Sequence, residues 1–394
     1  MDVAIASEAR FRLGPDARPV SDIGTRGYSF WKRYLDVFDT VTVLARLSRE
    51  TMATGEPVEG PSVSLVPLTN YTGIGQYSTV RGKLRRQIRR ALSRESALIL
   101  RLPGRIGSLA WREVSRSGHP YGVEVVGDPF SVFGRGGANY ALSPILRRWC
   151  MYELRRQCLR ACAVAYVTES TLQQRYPPGK AAFCTHYSSV DLPESALVEK
   201  PRDGRIGETV DIVSIGTLEQ LYKGPDTLLE AVAVCRTAGL DVRLTWIGDG
   251  RHRRALNQKA DLLGISESVH FVGSLPAGDA IRGELDRADL FVLPSRAEGL
   301  PRAMIEAMAR GIPCIGTAMG GIPELLQPSD LVKPDDAEAL ARKIVDVVSD
   351  RERMISMSRR NLLRARSYRE TILVARRREF YRQVREKTTH AMGL

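Results

Sequence analysis

The sequence has no run of about twenty apolar residues, the length a membrane-crossing helix needs. Residues 62–80 lack charge but are filled with Ser, Thr, Gly, Asn and Pro. Six cysteines (150, 158, 162, 184, 235 and 314) form no CxxC pair and no metal-like spacing with the five histidines, so neither a disulfide framework nor a zinc site is indicated. Cys158 and Cys162 share a predicted helix face and read as packing. A complete GxGxxG is also missing. TGIGQYS stops at two glycines and GDGRHR lacks the third, which removes the main support for a nicotinamide-dependent dehydrogenase. The start MDVAIASEAR carries an early acid and further charges, unlike a signal peptide. The expectation is a cytoplasmic protein, or one bound peripherally to a membrane from that side.

What is present is a globular composition, with 43% hydrophobic and 26% charged residues over 394 positions, enough for two or three domains. The net charge of +13 is unevenly spread. Residues 1–200 carry 28 basic against 18 acidic side chains, residues 201–350 carry 17 against 23, and residues 351–394 carry 13 against 4. Basic flanks around an acidic middle suggest that one lobe faces an anionic surface or substrate.

Short β-rich runs (DVAIAS, TVTVLA, SALILRL, YGVEVVG, AVAYVTES) alternate with helical spacing through the first half. Residues 193–208 lack apolar periodicity and read as a linker. A second series follows, from VDIVSIG through DVRLTWIG, VHFVG and DLFVLPS to PCIGT, with helices of about ten to fifteen residues between. Near-continuous apolar strands alternating with helices predict parallel sheets covered on both faces, hence two doubly wound α/β lobes. Ligands in such folds bind beyond the carboxyl ends of the strands.

Loops at the predicted strand ends of the second lobe are the candidate site. SIGTLEQLYKG supplies Gly216, Thr217 and Lys223, WIGDG supplies Gly248 and Asp249, and HFVGSLP supplies Gly273. Glycine after a strand admits close backbone approach to a phosphate, and the next helix adds its positive end. PSRAEGLPRAMIEAM sets Glu298, Gly299 and Leu300 in a loop, Pro301 in the first helical turn, and Glu306 eight residues after Glu298. Two acceptor-only carboxylates beside a phosphate site suit hydroxyl groups on either side of that phosphate.

The spacing from Glu298 to Glu306, the GGIPE that follows, and the KG of YKGPDTLLEA resemble the retaining nucleotide-sugar glycosyltransferases of family 4, two-lobed enzymes of the GT-B fold. The resemblance is specific over about 210–330 and architectural over 1–195. It implies that Glu298 contacts the donor sugar, Glu306 the ribose and Lys223 the diphosphate. It further implies an acceptor lobe over 1–195, a donor lobe over 205–365 with a cleft between them, and a basic C-terminal helix over 366–394 crossing back to the first lobe. Many members carry GR where this chain has Gly216-Thr217, so a second cationic contact to the diphosphate is either missing or supplied from elsewhere, by Arg251, Arg302 or Arg26. Where the family often presents a histidine near the acceptor, VEVVGDPF has Gly127 and then Asp128, the acceptor-side candidate. The turn before the linker, SSVD, has Ser189 where glycine is common. The loop IGTRGYSFW, with Gly24 and Gly27, resembles the family's N-terminal glycine loop, and an ordinary βα turn explains it equally.

No DxD motif is present, so the expectation is a metal-independent site with no bound cofactor, neutralising a leaving diphosphate through Lys223, arginines and helix N–H groups. RGKLRRQIRRALSR at 81–94 has seven basic residues and no acid. Leu84, Ile88 and Leu92 form a stripe flanked by Arg85, Arg86, Arg89 and Arg90, the pattern of a helix lying on an anionic membrane. A solvated helix face fits it too, and no nucleic-acid motif accompanies it. The expected partners are a nucleoside diphosphate sugar (uridine or guanosine) and a glycan or lipid-linked acceptor hydroxyl. Alternatives are a GT-B nucleotide-sugar epimerase and a non-catalytic scaffold binding a polyanion or membrane.

Overall fold

The computed structural model describes residues 1–394 apart from 22–25, 52–54, 130–142, 205 and 394. Two compact units emerge. One comprises Met1–Gly127, Arg148–Tyr187 and Val374–Leu394, and the other is built on Ser188–Leu373, with the described residues of 128–147 counted to it.

In the first unit the described strands form one sheet: β1 (Val3–Leu13), β2 (Pro19–Ser21), β3 (Val41–Thr51), β4 (Glu56–Pro57), β5 (Val63–Thr69), β6 (Ala97–Leu102), β7 (Gly122–Val125), β8 (Ala163–Tyr166) and β9 (Phe183–His186). The parallel order is β5-β3-β1-β6-β7-β8-β9; the short β2 adds antiparallel to the far end of β1, and β4 adds antiparallel to β2. Reversal of strand order about β1 is the doubly wound topology. It follows from runs such as ALILRL, which is buried at every position.

That burial includes charge. Arg101 on β6 pairs with Glu124 on β7, both enclosed, and Glu124 also accepts from Tyr34 Oη at 2.9 Å and Tyr187 Oη at 2.7 Å. Burial presses the Glu124 carboxyl upward, but Arg101, Arg33 and the two phenols outweigh it and hold its pKa below the ordinary range. The last helix, Glu370–Met392, closes this network. Tyr381 stacks on Tyr34 with centroids 4.6 Å apart, and Phe380, Tyr381 and Val384 are fully buried. The helix lies so close to β7 that a Cβ on Gly122 would sit 2.5 Å from Val384.

The second unit has a six-stranded parallel sheet: β10 (Val210–Ile215), β11 (Val242–Ile247), β12 (Val269–Gly273), β13 (Leu290–Leu293), β14 (Cys314–Thr317) and β15 (Leu331–Val332). Its order is β12-β11-β10-β13-β14-β15, so strand order reverses between β10 and β13. The stretch read as a linker is tied to this unit. Arg202 donates to the carbonyls of Leu285 and Arg310 at 3.0 and 3.1 Å, and its backbone N–H to Ser358 Oγ at 2.8 Å. Absence of apolar periodicity does not reveal such polar anchoring.

The amphipathic helix of residues 81–94 is corrected in one respect. It runs Gly73–Ala91, and its apolar stripe, Leu84 and Ile88, faces the first unit's core rather than outward. Arg85 and Arg89 are both drawn to Glu113, at 2.5 and 2.8 Å, while Arg86 and Arg90 are exposed. The stripe is therefore not available to a lipid surface.

Glu124→Gln removes the counter-charge of Arg101 with little change of shape, and should cost about 3–5 kcal/mol in chemical denaturation at neutral pH. Because the folded pKa of Glu124 is depressed, its contribution is complete above the ordinary carboxylate range and is lost as pH falls through the depressed value. The gap between wild type and variant should narrow in acid.

Candidate functional site

The switch point between β10 and β13 brings Lys223 and Glu298 together. After β10 the chain makes a short 3-10 turn, Leu221–Lys223, and then Gly224 at φ +72°, whose absent Cβ would fall 2.2 Å from the carbonyl oxygen of Pro294. The YKG turn therefore lies directly against the loop that leaves β13. Lys223 Nζ and Glu298 Oε1 are 2.5 Å apart, and Ser295 Oγ donates to the same carboxylate oxygen at 2.8 Å. Glu298 is 8% exposed. Burial works against the Lys223 charge, yet Glu298 and Tyr222 more than offset it and hold the ammonium pKa above its ordinary value.

Two contacts fix the Glu298 loop from the β14 side. Gly320 has φ +55°, and a Cβ there would lie 2.1 Å from the Glu298 carbonyl oxygen, so only glycine lets the GGIPE turn approach. Gly321 N–H then donates to the Gly299 carbonyl at 2.7 Å. From the other side Arg296, which sequence reasoning passed over, joins the loops. Its guanidinium is bidentate to Asp226 at 2.7 and 2.8 Å, pairs with Asp335, and donates to the Leu221 carbonyl at 2.6 Å. Its backbone N–H donates to the Tyr222 carbonyl at 2.7 Å. The acids it meets lie far along the chain, so no local spacing could reveal it.

Glu306 stands apart from this pair. The helix after the loop runs Arg302–Ala309, with Pro301 as its extended N-cap rather than in its first turn. Glu306, half-buried, lines a cavity of about 230 Å³ with Asp191, Leu192, Gly278, Ile281 and Arg282. Burial raises the Glu306 pKa and Asp191 adds to the rise, while Arg302 and Arg282 oppose it. The charge of Arg302, exposed at the helix start, is felt at both Glu306 and Lys223. Leu300 is buried behind the loop.

The glycines at the other strand ends have a different physical reason from the one sequence suggested. The Gly216 N–H donates to the Ile247 carbonyl at 2.9 Å, and the Gly248 N–H to Gly273 at 2.7 Å, so both donors are engaged by backbone. A Cβ on Gly248, at φ +136°, would lie 2.1 Å from Gly216 O. These residues let three loops interlock. Thr217 Oγ1 reaches the Asp249 carbonyl at 3.4 Å, and the Asp249 carboxylate pairs with Arg253 at 3.1 Å.

In the first unit Gly24 falls outside the described residues. Gly27 is the N-cap of a one-turn helix, Tyr28–Trp31, where Glu56 accepts the Ser29 N–H at 2.7 Å. A carboxylate of the same lobe thus takes up a donor at this helix start. Asp128, which follows β7 but is counted to the second unit, is enclosed, with 3% exposure.

Among the described residues no group of three or more His, Cys, Asp or Glu is placed to hold a metal ion. None of the described helices is long and apolar enough to cross a membrane.

Residues 209–350 match the family model described as Glycosyl transferases group 1. Protein CapJ of Staphylococcus aureus is 24% identical over 321 residues, 80% of this chain and 79% of that one. The GDP-mannose-dependent monoacylated alpha-(1-6)-phosphatidylinositol monomannoside mannosyltransferase of Corynebacterium glutamicum is 28% identical over 235 residues, 53% of this chain and 60% of that one. The second match therefore spans less than two thirds of that enzyme. The solved sucrose-phosphate synthase of Thermosynechococcus elongatus superposes with a TM-score of 0.73 at 16% identity, covering 98% of this chain and 100% of that one. The fold is GT-B, with two Rossmann-like lobes, and the second lobe carries a group 1 glycosyl transferase domain.

A raised carboxyl pKa means that ionising Glu306 costs stability once pH climbs from the ordinary carboxylate range through the folded value. Glu306→Gln should therefore melt above wild type at neutral pH, and the difference should vanish in acid. A lower midpoint for the variant at neutral pH would contradict this placement.

Proposed function

We propose that this protein is a retaining glycosyltransferase. It moves a hexosyl group from a UDP- or GDP-sugar to a hydroxyl of a lipid-linked or surface-glycan intermediate. The observation that carries the reading is the Lys223–Glu298–Ser295 cluster at the β10/β13 switch point; the helix that follows its loop carries Glu306 into a separate cavity. In this reading Lys223 turns from Glu298 towards the diphosphate, which carries more charge than a single carboxylate. Glu298 is then released to accept hydroxyls of the donor sugar. Glu306 accepts the ribose hydroxyls, with the nucleoside in the adjoining cavity. Arg302, at the helix start, supplies the second cation.

The bond between the anomeric carbon and the diphosphate oxygen breaks, and the acceptor oxygen bonds to that carbon on the same face. The acceptor proton passes to the departing phosphate, whose charge Lys223, Arg302 and the helix N–H groups stabilise. The nucleotide sugar is a co-substrate, and the reaction as drawn calls on no resident metal or cofactor. Asp128 is retained as the acceptor-side candidate through its position after β7. Support comes from the group 1 domain and from the GDP-mannose-dependent relative. Neither an epimerase nor a scaffold would explain the pairing of this domain with an intact Lys223, Glu298 and Glu306 as economically.

Thermal melting with a panel of nucleoside diphosphates tests the reading. One base should raise stability by about 2.7 kcal/mol at a hundredfold excess over its dissociation constant. Lys223→Ala and Glu298→Ala should each reduce sugar transfer by roughly a hundredfold or more. No shift with any nucleoside diphosphate would sink the proposal.

A further inference from the structure

The helix Ser143–Arg160 is turned inside out in polarity over its second half. Its inner face carries Glu153, which accepts from Arg112 at 2.6 Å, and Gln157, which donates to Ser108 Oγ at 3.0 Å, beside Leu154 and Cys158. The outer face presents Trp149, Tyr152 and Leu159 at 42, 62 and 55% exposure. Spacings of three and seven residues set these three on one side. Arg148, Arg155 and Arg160 are exposed around them. Glu153 is the helix's one acid and it is buried, so the outer face is purely cationic and apolar.

Neighbouring arginines preset the aromatic part. Arg105 and Arg112 lie 5.0 and 5.5 Å from the Trp149 ring centroid. Arg105 also lies 5.7 Å from the ring of Tyr77, on the helix Gly73–Ala91, so that the exposed Arg81 one turn on adjoins the patch.

We propose that this outer face docks the first lobe on an anionic lipid bilayer. Trp and Tyr have an apolar body and a polar edge suited to the headgroup boundary, and arginine can extend its charge to lipid phosphates from an apolar stem. The absence of acid decides against a second copy of this chain as occupant. Self-pairing would oppose Arg148, Arg155 and Arg160 with no counter-charge. Anionic lipid supplies that counter-charge across the whole face. The docking helix is thus not the arginine-rich one whose apolar stripe is buried, but the one whose polar residues are buried. This surface stands independently of the transfer reaction.

Vesicle flotation at low salt tests it. The wild-type protein should float with phosphatidylglycerol-containing vesicles and not with pure phosphatidylcholine. Its tryptophan emission should shift to the blue, since Trp31, Trp111 and Trp246 are buried and Trp149 is the exposed reporter. Trp149→Ala/Tyr152→Ala should bind at least tenfold more weakly, and Arg148→Ser/Arg155→Ser roughly twentyfold. Unchanged melting and an unchanged nucleoside-diphosphate shift would establish that these variants fold. Failure of the wild type to bind, or variants binding as well as wild type, would overturn the proposal. So would a wild-type dimer that Trp149→Ala dissociates, because a second copy would then cover the face.

Discussion

The Lys223–Glu298 ion pair depends on backbone packed too closely for side chains. Gly224 lies against the Pro294 carbonyl and Gly320 against the Glu298 carbonyl, so the loops leaving β10, β13 and β14 are clamped together at the switch point. Once the loops are fixed, a lysine and a glutamate distant in sequence must share a small, poorly hydrated volume. Each then satisfies the other's charge, and Ser295 takes up part of the remaining acceptor capacity. The cluster so held keeps the Lys223 ammonium charged at the switch point despite its burial. Glu306 stands apart, and its partly buried carboxyl is kept towards its neutral form by burial and Asp191.

The first lobe uses a different device. Its sheet crosses a buried Arg101–Glu124 pair, and the C-terminal helix seals it with Phe380 and Tyr381. The helix Glu370–Met392 is therefore built into the core of this lobe. Charge is also placed economically: several arginines that look free in the sequence are engaged, Arg85 and Arg89 by Glu113, Arg112 by Glu153 and Arg378 by Asp36. The basic excess of this lobe is concentrated in those that remain exposed.

The doubly wound fold was legible because parallel strands buried on both faces leave near-continuous apolar runs, and VDIVSI, LFVL and CIGT show them. The Glu298-to-Glu306 spacing and the YKG and GGIPE turns could be picked out because each is a local pattern, but the meeting of Lys223 with Glu298, 75 residues apart, could not. Arg296, Arg202 and Glu56 were not legible either, since each acts on partners remote in sequence that only the fold brings near. The helix Gly73–Ala91 shows the limit of periodicity. An apolar stripe among arginines describes an amphipathic helix, but it does not say whether protein or lipid covers the stripe.

Isothermal titration with a nucleoside diphosphate and its parent nucleoside tests the central claim most directly, by comparing wild type with Lys223→Ala and Glu306→Ala. Lys223→Ala should erase the advantage of diphosphate over nucleoside, whereas Glu306→Ala should weaken both ligands alike. Two variants that bind both ligands as wild type does would contradict the assignment of this switch point as the donor site.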